Sequence, residues 1–227
     1  MVRVLFSAAA LSLAFVTPAM ATPITLDSGD VGQSFTLQYD GFSDGNTIGG
    51  LGAEATFTLT DVTANSYTFD YSLTNTTDSG LTSRVSSFSF NTDPDISGAT
   101  STGDFGYVVT DSNYPNGIGT VDVCFKGGSS NSCAGNQGGV TEGNTGTGSL
   151  TLTFADMVDS VSLSDFFVRY QSITGAGNVT SASGKVTTTS TGSTTGGTPV
   201  PEPGMLGLFG AGLLGLGLLR RRRRILA

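Results

Sequence analysis

Apolar and polar residues alternate with a period of two in nine short stretches of this 227-residue chain, and each stretch is bounded by clusters of Gly, Asn, Asp, Ser or Pro. They are Phe35–Tyr39, Ala55–Leu59, Tyr67–Leu73, Val85–Phe90, Phe105–Val109, Val121–Phe125, Leu150–Phe154, Phe166–Tyr170 and Lys185–Thr189. A period of two sends successive side chains to opposite faces of a strand, and Thr, Val, Phe and Tyr suit a half-buried pleated surface. About nine short antiparallel strands predict an all-β fold, a β-sandwich. No fixed-period repeat is visible, which disfavours a solenoid or propeller.

Two segments break the alternation. Ala155–Ser164 is read as a helical turn or a bulged corner with Met157, Val158 and Val161 packed inward. Lys126–Gly148 is dominated by Gly, Ser, Asn and Thr and reads as a long surface loop, because it holds too little apolar area to pair strands.

Both ends differ from the middle. Arg3, an apolar run from Val4 to Val16, Pro18 and the small-residue site Ala19-Met20-Ala21 have the layout of a secretory signal peptide with a helical core, cleaved after Ala21. Residues 1–21 are therefore the signal, read by the Sec machinery and signal peptidase, and 22–186 the exported domain. A Thr/Ser/Gly-rich linker is expected over 187–199, too polar to pack. From Thr22 to Pro199 four cations (Arg84, Lys126, Arg169 and Lys185) face seventeen acids, a net charge of about −13 that repels nucleic acid and anionic lipid.

The C-terminal part, 200–227, opens with Val200, Pro201, Glu202 and Pro203, an extended segment suited to a protease groove. Met205–Leu219 is uninterruptedly apolar and is expected to be a hydrophobic helix. The cluster Arg220, Arg221, Arg222, Arg223 and Arg224 follows directly, as when cations stay cytoplasmic. Fifteen residues at ~1.5 Å each reach about 22 Å, short of a hydrocarbon core of about 30 Å, so the span is a marginal and transient inner-membrane anchor. Gly207, Ala211 and Gly215 form a small-residue ridge that would allow close approach of another membrane helix.

Motif, hydrophobic segment and arginine cluster together resemble the PEP-CTERM sorting signal. That resemblance implies recognition of Pro201, Glu202 and Pro203 by an exosortase of a Gram-negative bacterium, export to the cell surface or beyond, and a link with exopolysaccharide. In the domain, Val85–Asn91, Gly119–Phe125 with Cys133-Ala134-Gly135, and Phe167–Ile173 resemble the cistern group of PEP-CTERM proteins, which is marked by a cysteine pair and implies no biochemical activity.

Cys124 and Cys133 lie in a chain bound for an oxidising compartment, separated by a flexible loop, and are expected to form a disulfide. A loop of about ten residues gives roughly 2.7 kcal/mol in the chain-entropy model. Lys126 beside Cys124 would be the cation that activates a free thiol instead.

The chain has no histidine, which excludes Ser-His-Asp and Cys-His nucleophile systems and imidazole zinc sites, and no catalytic or metal-ligating set is assigned. A glycosidase pair could be drawn from Glu54, Glu142, Asp156, Asp159 or Asp165, set against their reading as solvated surface acids. Calcium is the one cofactor left open. Asp40–Asn46 carries oxygen ligands but departs from the EF-hand pattern at Phe42, and Gly49–Glu54 matches a single calcium-binding nonapeptide unit with Glu for Asp.

Tyr39, Tyr67, Tyr71, Tyr107, Tyr114 and Tyr170 are either sugar-stacking rings or strand residues with rings in the core and hydroxyls at the rim. Asn75-Thr76-Thr77 and Asn178-Val179-Thr180 match the N-glycosylation sequon. The expectation is a non-enzymatic structural or adhesive surface protein, with a carbohydrate-binding module as the alternative and a glycan hydrolase behind it.

Overall fold

The computed structural model describes residues 23–135 and 137–192. The signal helix with Ala19 and Ala21, residues 193–199 of the linker, and the sorting tail with its hydrophobic helix and arginine cluster lie outside the described residues. Among those described, no helix is long and apolar enough to cross a membrane.

The fold is all-β. The described residues form β1 (Ile24–Asp27), β2 (Ser34–Ser43), β3 (Asn46–Thr63), β4 (Ser66–Asn75), β5 (Thr82–Asp93), β6 (Gly98–Ser101), β7 (Tyr107–Tyr114), β8 (Gly119–Lys126), β9 (Val140–Thr141), β10 (Thr145–Thr153), β11 (Ser160–Thr174) and β12 (Ser181–Gly192). They make one sheet in the order β6-β10-β4-β3-β2-β12-β11-β5-β8-β7, while β1 adds to β11 and β9 to β5. Every pairing is antiparallel.

Local chemistry explains the turns. The β2–β3 hairpin closes through Asp44-Gly45 with φ of 49° and 78°, the two-residue loop whose twist matches that of paired strands. Three register shifts between β11 and β5, with Asp165 and Ser172 at φ of 51° and 55°, bend β11 sharply.

That bending lets the sheet double over. Phe57 on β3 and Phe88 on β5 are four strands apart along the sheet, yet their rings lie 5.6 Å apart. The two halves of the expected sandwich are thus one continuous sheet folded across an aromatic core. Phe88 sits at its centre, with ring centroids 5.3 Å from Tyr71, 5.3 Å from Phe105 and 5.0 Å from Phe125.

β5 is buried on both faces. Val85, Phe88 and Phe90 join the main core, whereas Ser87 and Ser89 face a second, smaller cluster of Tyr114, Val121, Cys124 and Cys133. The tip of the β7–β8 hairpin and the disulfide loop cover this side. Ser183 Oγ donates to the Pro115 carbonyl at 3.3 Å, and Gln171 Nε2 donates to the Ala134 carbonyl at 3.1 Å.

Several expectations change. Seven of the nine stretches fall wholly on strands; Phe105 instead closes a 3₁₀ turn over Gly103–Phe105 with Gly106 after it, Phe154 lies just past the end of β10, and β1, β6 and β9 are additional. Residues 126–148 are not all loop. Val140 pairs with Val85, and β10 begins at Thr145, because backbone pairing to β5 and β4 needs no apolar side chain. Thr187–Gly192, read as linker, continues β12, with Thr188 opposite Gln38 and Gly192 opposite Ser34. Ala155–Asp159 holds no helix and leads into β11; Val161 is buried and Val158 packs partly buried against the core as expected, but Met157 is 82% exposed rather than packed inward.

Candidate functional site

Because neighbours across an antiparallel ladder share a face, the register assembles a surface that no single strand contains. Across β12, β2, β3, β4 and β10 one row reads Ser190, Thr36, Thr56, Ser72, Thr147, and the next reads Thr188, Gln38, Glu54, Thr74, Thr145. No aliphatic or aromatic side chain interrupts these rows. Their hydroxyls tie the strands laterally: Thr36 to Thr56 at 2.8 Å, Ser34 to Thr58 at 2.7 Å, Thr74 to Thr145 at 2.7 Å and Thr68 to Thr151 at 3.0 Å.

At one end this face sinks into a groove of about 410 Å³. Its floor includes Gly49, Gly50 and Gly52 at the start of β3; an added Cβ would meet open space at Gly49 but the Asp78 side chain at Gly50 and the Thr76 hydroxyl at Gly52. The walls include Gln38 and Asp40 from β2, Glu54 from β3, and Thr76 and Asp78 from the segment after β4. That segment is held against the floor by Asp78 N donating to the Gly50 carbonyl at 2.8 Å and Thr76 N donating to the Gly52 carbonyl at 3.1 Å. Gly50 has φ of 80°, and a Cβ there would lie 3.1 Å from an Asp78 carboxylate oxygen. Gln38 Nε2 donates to Glu54 Oε2 at 3.4 Å. The groove is therefore lined by acceptors and hydroxyls together with the apolar or aromatic residues Tyr39, Ile48, Leu51 and Ala53, and Lys185 stands opposite Asp40 in register.

Of the five carboxylates considered for glycoside hydrolysis, Glu54 lines this groove. Glu142 accepts from Ser83 N at 3.2 Å and Asp165 from Asn91 Nδ2 at 3.1 Å, while Asp156 and Asp159 lie in the turn before β11. The Asp40–Asn46 segment forms the end of β2, the Asp44-Gly45 turn and the start of β3, and Gly49–Glu54 contributes floor and wall to the groove. Among the described residues no group of three or more His, Cys, Asp or Glu is placed to hold a metal ion.

Five of the six tyrosines are core residues: Tyr39, Tyr67, Tyr71, Tyr114 and Tyr170, whereas Tyr107 is 50% exposed. The hydroxyls do not all reach the rim, since those of Tyr39 and Tyr170 are buried without a hydrogen-bond partner. Asn75 is fully buried, its amide donating to the Ser83 and Val140 carbonyls at 3.2 and 3.1 Å, so this sequon is inaccessible, and Asn178 stays exposed between β11 and β12. Sequence reasoning missed Gln38, Thr76 and Asp78. Strand parity could have marked Gln38 as outward, but nothing local marks the other two.

On the covered side Cys124 and Cys133 form the expected disulfide, with Cα atoms 6.1 Å apart. Lys126, Ser87 and Arg169 stand in register on β8, β5 and β11, and both cations are nearly buried. Burial lowers the pKa of Lys126, whose Nζ donates to Ser130 Oγ at 3.4 Å. Burial also lowers that of Arg169, which the nearby Tyr114 phenol opposes, and Arg169 Nη2 donates to Ser181 Oγ at 2.9 Å. Replacing both cysteines with alanine is expected to lower stability by about 2–4 kcal/mol. Hydrogen exchange should then rise at the Ser86–Ser89 and Gly127–Ala134 amides while β3 and β4 stay protected. Uniform exchange over the whole domain would show that the loop is not an independent cover.

Residues 199–224 match the family described as the PEP-CTERM protein-sorting motif. No curated protein matches the chain. The chain thus carries an exosortase-directed sorting signal, which assigns it to export toward the surface of a Gram-negative bacterium.

Proposed function

We propose that the exported domain is a non-enzymatic structural or adhesive protein of the cell surface or extracellular matrix, associated with exopolysaccharide. It is delivered by Sec export and signal-peptide removal, held briefly in the inner membrane, and handed to an exosortase. The observation that supports this reading best is the pairing of a sorting tail with a domain of two unlike sides, one sealed by a disulfide loop and one open, polar and laterally hydrogen-bonded. A carbohydrate-binding module is the second reading, favoured by the groove of Gln38, Asp40, Glu54 and Asp78. Stacking on the core tyrosines has no part in it, since their rings are buried.

Two measurements test the proposal together. Incubated with the producer's own polysaccharide, the purified protein is expected to release no reducing ends, and turnover would refute the non-enzymatic role. Fractionated cells are expected to hold the wild-type protein with the matrix, its mature mass lacking Leu206 and the arginines. Glu202→Ala should leave it in the inner-membrane fraction. A wild-type protein that keeps its arginines outside the cell would contradict the processing step.

A further inference from the structure

We propose that the open hydroxyl face and its groove form the binding site for an uncharged polysaccharide chain. The inference rests on the matrix role and adds the place and the chemical class of the ligand. The face offers ordered Ser and Thr hydroxyls that both donate and accept, spaced about 4.8 Å between strands and about 6.7 Å along them. The groove adds carboxylate and amide acceptors around Gly49, Gly50 and Gly52, and its size lies within the range of ~300–1,000 Å³ usual for small-ligand sites. Sugar hydroxyls are donors that carboxylates accept strongly, so this set suits a polyol better than an apolar or anionic partner.

Charge narrows the class. Asp40, Glu54, Asp70 and Asp78 lie on or beside this face, and Lys185 stands at its border. A uronate or phosphate-bearing polymer would meet like charge, which the net charge of about −13 reinforces. A lipid surface or a protein partner with an apolar hot spot finds no apolar anchor in the Ser/Thr rows. A neutral chain lying along those rows, with one unit seated in the groove, satisfies both limits.

The test is native gel electrophoresis of the full chain through hydroxyethyl cellulose, dextran or alginate. Retardation by a neutral polymer and none by alginate is expected. Gly49→Tyr fills the groove at a position where an added Cβ meets nothing within 4 Å, so it should fold normally and abolish retardation. The double variant Glu54→Ala/Asp78→Ala removes two acceptors of charge-assisted hydrogen bonds and should weaken retardation at least tenfold, with thermal unfolding checked in both variants. The site is overturned if retardation survives in both folded variants, if alginate alone retards the protein, or if no polymer does. Matrix fractionation of the wild type distinguishes the two failures, because a protein that stays with the matrix but ignores these polymers loses this site and keeps the broader role.

Discussion

Phe88→Ala is expected to destabilise the domain by about 3–5 kcal/mol, the usual range for deleting a buried aromatic ring. Phe88 is 1% exposed and meets rings from β3, β4, β8 and the Gly103–Phe105 turn, so its loss opens a cavity where the two halves of the folded sheet meet. Neighbours cannot collapse into the space easily, because each is fixed by its own ladder. Against a total stability of ~5–15 kcal/mol for an ordinary domain, the change is a large fraction. Urea unfolding followed by tyrosine fluorescence measures it. A loss below about 1.5 kcal/mol would mean that the two halves are held together mainly at their edges.

Alkaline unfolding is the second large effect. Burial raises the pKa of Tyr39, Tyr114 and Tyr170, and also of Tyr67 and Tyr71, above the usual value of about 10. Arg169 and the hydroxyls of Ser87 and Ser89 pull Tyr114 the other way without reversing the shift. A phenol with a raised folded pKa keeps its proton after the unfolded chain has released it. Its contribution is fully present below pH 10 and is lost as pH rises above that value. Five such groups act in the same direction, so the melting temperature should fall steeply above pH 10. Lys126 acts in the opposite sense. Its lowered pKa lets the unfolded chain bind more protons, so stability rises with pH between its folded and unfolded values. One lysine does not offset five phenols. Tyrosinate absorbance and far-UV ellipticity should change together, and a full absorbance rise with the ellipticity intact would refute the assignment of these rings to the core.

Strands rich in Phe, Tyr and Val were legible because their inner and outer residues differ in kind. The strands that escaped are β1, β6 and β9, which at two to four residues are too short for a period to register, and the end of β12, whose Thr and Ser resemble a linker until β2 is placed beside it. Asn75 shows the same limit. As a tripeptide it reads as a glycan acceptor, but the pairing of β4 and the approach of Val140 bury it.

The sequence by itself determined the all-β class and the C-terminal sorting motif, since the alternation and the tail motif are both local patterns. Tertiary structure decided which tyrosines are core, which side the disulfide loop seals, and that Gln38, Glu54, Thr76 and Asp78 surround one groove. The physical reason is that a period of two states only that a strand has two faces. Which face is buried, and which distant strand lies beside it, follows from long-range register and from the bulges of β11 that fold the sheet over its aromatic core.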